Sequence, residues 1–148
     1  MSRYLAEAGG VKEVMETIDT MGEHGWSGPS LNLVLADRFG DIGYMLLAPL
    51  PVRKDKTPYI GCRVLDGRKS DYDWEPNKTA PITDLPRAFN PEKGYIVTAN
   101  NRQTPDNAKL DHGAAIMSTA RSIRITEMIE QGIASGQKFS IEDMSAIQ

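Results

Sequence analysis

Near the start of the chain, Val11, Val14, Met15, Ile18 and Met21 recur at helical spacing, while Glu7, Lys12, Glu13, Glu16 and Asp19 fall mostly on the opposite face. That pattern predicts one amphipathic helix from Tyr4 to Met21, stopped at Gly22. The loop Glu23 to Ser30 follows, with Gly25, Gly28 and Pro29 as turn formers. The period then changes. Leu31, Leu33 and Leu35 alternate with Asn32, Val34 and Ala36, Asp37-Arg38-Phe39-Gly40-Asp41 supplies turn chemistry, and Ile42 to Leu47 is apolar again. A β-hairpin is predicted there.

From Ala48 to Glu92 the chain carries Pro49, Pro51, Pro58, Pro76, Pro81, Pro86 and Pro91. Proline fixes φ and removes a backbone donor, so this density predicts extended, irregular chain rather than a helix or a central strand. Tyr59, Ile60, Val64, Leu65, Tyr72, Trp74 and Phe89 give the excursion more apolar surface than a solvated linker would carry, so it is expected to be ordered and to wrap across a larger body. Tyr95-Ile96-Val97-Thr98 is β-branched and aromatic and predicts a buried strand that runs into Ala99-Asn100-Asn101. Ile125, Met128, Ile129 and Ile133 then predict a helix over about Ser118 to Ala134, with Gly132 and Gly136 near its stop. Ser140-Ile141-Glu142-Asp143 reads as a capping box, with Asp143 in place of the usual Glu, opening a last helix that contains Met144 and Ile147. A helix capped and cut after two turns is too short to be stable alone, and truncation of a longer protein is expected. Altogether the elements predict an α+β chain and a single partial domain over residues 1–148.

Composition narrows the classes of function. The 148 residues are 40% hydrophobic and 25% charged, the balance of a chain that packs a core. A net charge of −3, with 17 Lys and Arg scattered along the sequence, offers no basic stripe for phosphates and argues against a nucleic-acid partner. Cys62 is the single cysteine, so no internal disulfide and no Cys-rich zinc site can be built. The first residues have no apolar h-region, and no stretch approaches the roughly 18 apolar residues that span a bilayer.

The residues with candidate chemistry each have a plain alternative. Asn100 and Asn101 suit a strand end where Asn bonds nearby backbone. Arg124 has Glu127 at i+3 as an ion-pair partner. His24, His112 and Cys62 have no local signature linking them as a nucleophile and base. Asp106 and Asp111 are oxygen donors in a polar loop. Asn77-Lys78-Thr79 is a glycosylation sequon, meaningful only in a secreted eukaryotic protein.

One long string of motifs resembles a known family. Ala36-Asp37-x-x-Gly40-x-Ile42-Gly43-Tyr44, Pro51-x-Arg53, Gly67 with Trp74, Leu85-Pro86-x-x-x-Asn90-Pro91-x-x-Gly94-Tyr95-Ile96-x-x-Ala99-Asn100-Asn101 and Arg124-Ile125 occur in the order and approximate spacing of penicillin acylases. The resemblance covers roughly Leu31 to Gln148. It implies an internal segment of a β-chain in an αββα N-terminal-nucleophile hydrolase sandwich, where an N-terminal serine attacks an amide with its own α-amine as base. It implies further that Asn100 is the oxyanion-hole asparagine, that Arg124 is the active-site arginine and that Asn101 is structural. A calcium ion, bound between chains in some members, would make Asp111 a candidate ligand. The nucleophile has no counterpart here: Ser2 is followed by Arg3-Tyr4 and a helix rather than by a Ser-Asn strand start. The implied partners are the remainder of the acylase and a small N-acyl amide such as a penicillin, a cephalosporin or an acyl-homoserine lactone. The alternative reading is a non-catalytic binding or structural remnant of the fold.

Overall fold

The computed structural model describes residues 7–22, 26–55, 57, 63–104 and 119–148. It divides into two compact units, Met1–Ile96 with Thr104–Ala114 and Val97–Gln103 with Ala115–Gln148.

In the first unit, helix α1 spans Val11–Gly22. The sequence predicts a helix running through from Tyr4, but Gly9 and Gly10 are bends and α1 begins after them. Glycine gives up about 1 kcal/mol of helix propensity relative to alanine, and two in succession end the run. A remote side chain caps the new start: the Val11 N–H donates to Asp37 Oδ2 at 2.9 Å. The apolar face of α1 buries Val11, Met15 and Ile18, as the periodicity predicts.

The predicted hairpin forms from β1 (Leu31–Ala36) and β2 (Ile42–Leu47), antiparallel from Leu31 opposite Leu47 to Ala36 opposite Ile42. Its turn is built around Asp37. The carboxylate accepts from Phe39 N–H at 2.8 Å and Asp41 N–H at 3.1 Å, and Gly40 takes φ +95° to close the loop. Strand β2 is the centre of a three-stranded sheet, with β1 on one side and β5 (Arg87–Phe89) on the other. Met45 and Leu47 are fully buried against Ile18, Ile82 and Leu85, and this cluster is the core of the unit. Helix α1 lies close to β2: a Cβ on Gly43 would stand 2.6 Å from Val11 Cγ1 and 3.0 Å from Met15 Sδ.

Among its described residues the proline-rich excursion is more regular than expected, while Tyr59 and Ile60 lie outside the described residues. Strands β3 (Pro51–Arg53) and β4 (Trp74–Thr79) pair as a two-stranded ribbon with a register shift, and 3-10 turns form at Ser70–Tyr72 and Ile82–Asp84. Pro51 opens its strand, and Pro76 sits in a ribbon with one paired side, positions where a missing N–H costs no central ladder bond. The predicted strand at Tyr95–Thr98 does not form. The segment is half-buried extended chain that pairs with no described strand, because its β-branched residues favour extension but a ladder needs a neighbour.

The second unit holds α2 (Ala120–Ala134) and α3 (Ile141–Ile147). Helix α2 ends on Gly136 at φ +77°, with Gln137 N–H donating back to Gly132 O at 2.9 Å, a Schellman-type stop. The predicted capping box forms: Asp143 N–H donates to Ser140 Oγ at 3.2 Å, and Ser140 N–H donates to Asp143 Oδ2 at 2.8 Å. No described helix is long and apolar enough to cross a membrane.

Candidate active site

Among the described residues the motif residues fall into two groups, those whose side chains are consumed in holding the fold and one whose amide donor is not. Asp37 belongs to the first. The Val11 N–H above all, with the Phe39, Asp41 and Gly40 N–H groups, holds its carboxyl below the usual carboxylate range. Asn90 is the next clamp. Its Nδ2 donates to Asp41 Oδ1 at 2.8 Å, and its Oδ1 accepts from Ile42 N–H at 2.9 Å, tying the end of β5 to the hairpin turn. The Pro91 to Gly94 turn that follows is closed by Gly94 N–H donating to Pro91 O at 2.8 Å. Arg53 and Trp74, far apart in sequence, meet across the ribbon: the guanidinium lies 3.6 Å from the indole centroid and donates to Tyr72 O at 3.2 Å.

The turn after the Tyr95–Thr98 segment is where the two asparagines part company. Asn101 faces its own backbone: Oδ1 accepts from Ala99 N–H at 2.9 Å and from Gln103 Nε2 at 3.2 Å, and Nδ2 reaches Arg102 O at 3.4 Å. Gln103 Nε2 also donates to Val97 O at 3.3 Å. Asn101 is therefore a turn residue. Asn100 takes φ +61°, a left-handed backbone that side chains other than glycine seldom adopt and that asparagine tolerates best. Ala99 before it is buried, and Asn100 itself is exposed.

A guanidinium anchors Asn100 from helix α2, and it is not Arg124. Arg121 Nη2 donates to Ala99 O at 3.1 Å and to Asn100 Oδ1 at 2.5 Å. Arg124, one turn on, pairs instead with Glu127 at 3.4 Å, its side chain 63% exposed. The family resemblance points to Arg124 and not to Arg121. The only pointer was the i, i−3 spacing, which puts both arginines on one stripe of the helix. Ser2, His24, Cys62, Asp106, Asp111 and His112 lie outside the described residues. Among the described residues no group of three or more His, Cys, Asp or Glu is placed to hold a metal ion.

Comparison with known proteins places the chain in a family. The family model of penicillin amidase matches residues 5–148. The chain belongs to the penicillin amidase family. It is 28% identical over 123 residues to penicillin acylase 2 proenzyme of Pseudomonas sp. (strain SE83), a match that covers 83% of this chain and 15% of that protein. It also superposes with a TM-score of 0.64 on a thermostable penicillin G acylase from Alcaligenes faecalis, at 24% identity, over 97% of this chain and 23% of that one. The chain thus spans between a seventh and a quarter of the length of these relatives. Its helices and small antiparallel sheets are α+β and match part of the N-terminal-nucleophile hydrolase fold of that acylase.

Proposed function

We propose that this penicillin amidase segment supplies the oxyanion-hole asparagine, Asn100, and an active-site arginine, Arg124, to an amidohydrolase that cleaves a linear N-acyl amide bond. The nucleophile comes from sequence outside this chain. In this reading an N-terminal serine attacks the substrate carbonyl, and the carbonyl oxygen becomes an oxyanion. The Asn100 Nδ2–H donates to that oxyanion. A neutral donor fixed in place before the reaction stabilises the developing charge without reorganising at the moment it forms. Arg124 is long, exposed and held only by a surface pair with Glu127, so its guanidinium is free to turn toward groups outside this chain.

The observation that carries the reading is the contrast between neighbours. Asn101 places both ends of its amide in turn bonds, whereas Asn100, in a left-handed turn, has its oxygen on a guanidinium and no hydrogen bond from its nitrogen among the described residues. Two features support a segment built to pack against more chain: β1 has no neighbour on its outer side among the described residues, and Ile123, Ile133 and Ile141 on the second unit's helices are more than half exposed.

The test is kinetic and uses the acylase polypeptide that contains this segment. Asn100→Ala should lower kcat about a hundredfold to a thousandfold, the cost of one oxyanion donor, with little change in KM. Asn101→Ala should cost stability and leave kcat near wild type. A rate lost in Asn101→Ala and kept in Asn100→Ala would overturn the assignment, and indifference to both would favour the non-catalytic remnant. The acyl group is expected to be of the penicillin, cephalosporin or acyl-homoserine-lactone type, which trial substrates would distinguish.

A further inference from the structure

We infer that Arg121 is the positioning residue for Asn100: its guanidinium fixes which end of the Asn100 amide faces outward, and so makes the side chain a donor rather than an acceptor. The inference rests on the reading of Asn100 as an oxyanion donor and adds the residue that makes it one. An asparagine amide is nearly symmetric in shape, and a flip about its last bond exchanges Oδ1 for Nδ2 at almost no steric cost. An acceptor presented to an oxyanion would repel it, so the flip state decides between stabilising and destabilising the transition state.

Arg121 settles the flip chemically. A guanidinium has N–H donors and no acceptor, so the atom it meets on Asn100 is Oδ1, and Nδ2 is left pointing away. Its second anchor makes the arrangement rigid: the same Nη2 donates to the carbonyl of buried Ala99 at 3.1 Å. One nitrogen thus bridges the backbone before Asn100 and the side chain of Asn100, and holds the left-handed turn closed at φ +61°. The cation also draws density from the amide oxygen, which strengthens the Nδ2–H groups as donors. Arg124 does none of this, because its guanidinium lies on Glu127.

The first test is spectroscopic and uses the 148-residue chain, labelled with 15N and 13C. The Asn100 side-chain amide should give a shifted, well-separated NH2 pair, with a coupling across the hydrogen bond from Arg121 Nη2 to the Asn100 amide carbon. Arg121→Met should collapse the pair toward the position of a solvated asparagine, and Arg124→Met should leave it in place. Arg121→Lys keeps the charge but offers a point donor for a two-acceptor bridge, so the pair should move part of the way. If Arg121→Met prevents folding, the coupling in the unmodified chain and the Arg121→Lys shift still decide. An absent coupling, a pair indifferent to both Arg121 variants, or a pair moved by Arg124→Met instead would each overturn the inference. The second test is in the acylase polypeptide: Arg121→Met should lower kcat with little change in KM, and adding it to Asn100→Ala should slow the enzyme no further, because a residue that acts through Asn100 has nothing left to position. Additive losses would overturn it. Failure of the catalytic reading is distinguishable: Asn100→Ala would leave kcat intact while the spectroscopic signature persisted.

Discussion

Removing the Arg87 guanidinium should unfasten helix α1 from strand β5. Arg87 Nη1 and Nη2 meet both carboxylate oxygens of Asp19 at 2.7 and 2.8 Å, and Nη2 also donates to Ile82 O at 2.9 Å. The side chains are 28% and 30% exposed, between the two regimes for which ion-pair energies are known. A fully exposed pair contributes about 0–1 kcal/mol, and breaking a buried one costs about 3–5 kcal/mol. The bidentate geometry and the extra carbonyl push the value up. The Arg87 Nε, buried without a partner, pulls it down, since methionine has no such group to leave unsatisfied. Arg87→Met should therefore destabilise by about 2 kcal/mol, and a double-mutant cycle with Asp19→Asn should return a coupling of about 1–2 kcal/mol. With a urea slope of about 2 kcal/mol/M the midpoint should fall by about 1 M, and moderate salt should shrink the difference only partly. A loss below about 0.5 kcal/mol, or strictly additive single variants, would refute the argument that this pair is a shielded tie rather than a solvated one.

Two further outcomes follow from the packing and the turn. Gly43→Ala should cost about 1–3 kcal/mol in thermal or urea denaturation, because the new methyl stands 2.6 Å from Val11 Cγ1 and α1 must move off β2; an unchanged midpoint would mean the helix is not seated as described. The Asp37 carboxyl is held below its ordinary pKa of 3.8 by backbone donors, so the stability it contributes is present above pH 3.8 and is lost as pH falls through the lower folded value. Asp37→Asn should be less stable at neutral pH and lose less stability between neutrality and acid than the unmodified chain, and parallel acid titrations of the two would contradict this.

Much of the fold was legible because one-dimensional periodicity reports which face is buried. The alternation of Leu31, Leu33 and Leu35 before an Asp-to-Gly turn yields the hairpin, and Ser140 with Asp143 yields a capping box whose bonds depend only on residues three apart. Features that depend on a distant partner were not legible. Gly9 and Gly10 end a helix whose apolar pattern runs on, and the new start is capped by Asp37, 26 residues away. The Tyr95–Thr98 segment has strand composition and no described strand to pair with. Trp74 gave no sign that its partner would be Arg53. At the candidate site, the family resemblance singles out Asn100 where local pattern alone favours a plain turn residue, whereas Arg121 is passed over because a helical arginine reads as a solvated charge until the fold brings a carbonyl and an amide oxygen to it.

The central claim is that this chain carries stabilising groups for amide hydrolysis but not the nucleophile, and turnover of a chromogenic N-acyl anilide tests it directly. The purified chain alone should release no anilide above the uncatalysed rate, since Asn100 and Arg124 can only stabilise charge that a nucleophile creates. Turnover should appear when the chain stands within an acylase that has an N-terminal serine, and should fall about a hundredfold or more with Asn100→Ala. Turnover by the chain alone that is abolished by Ser2→Ala would contradict the account and place the nucleophile at Ser2.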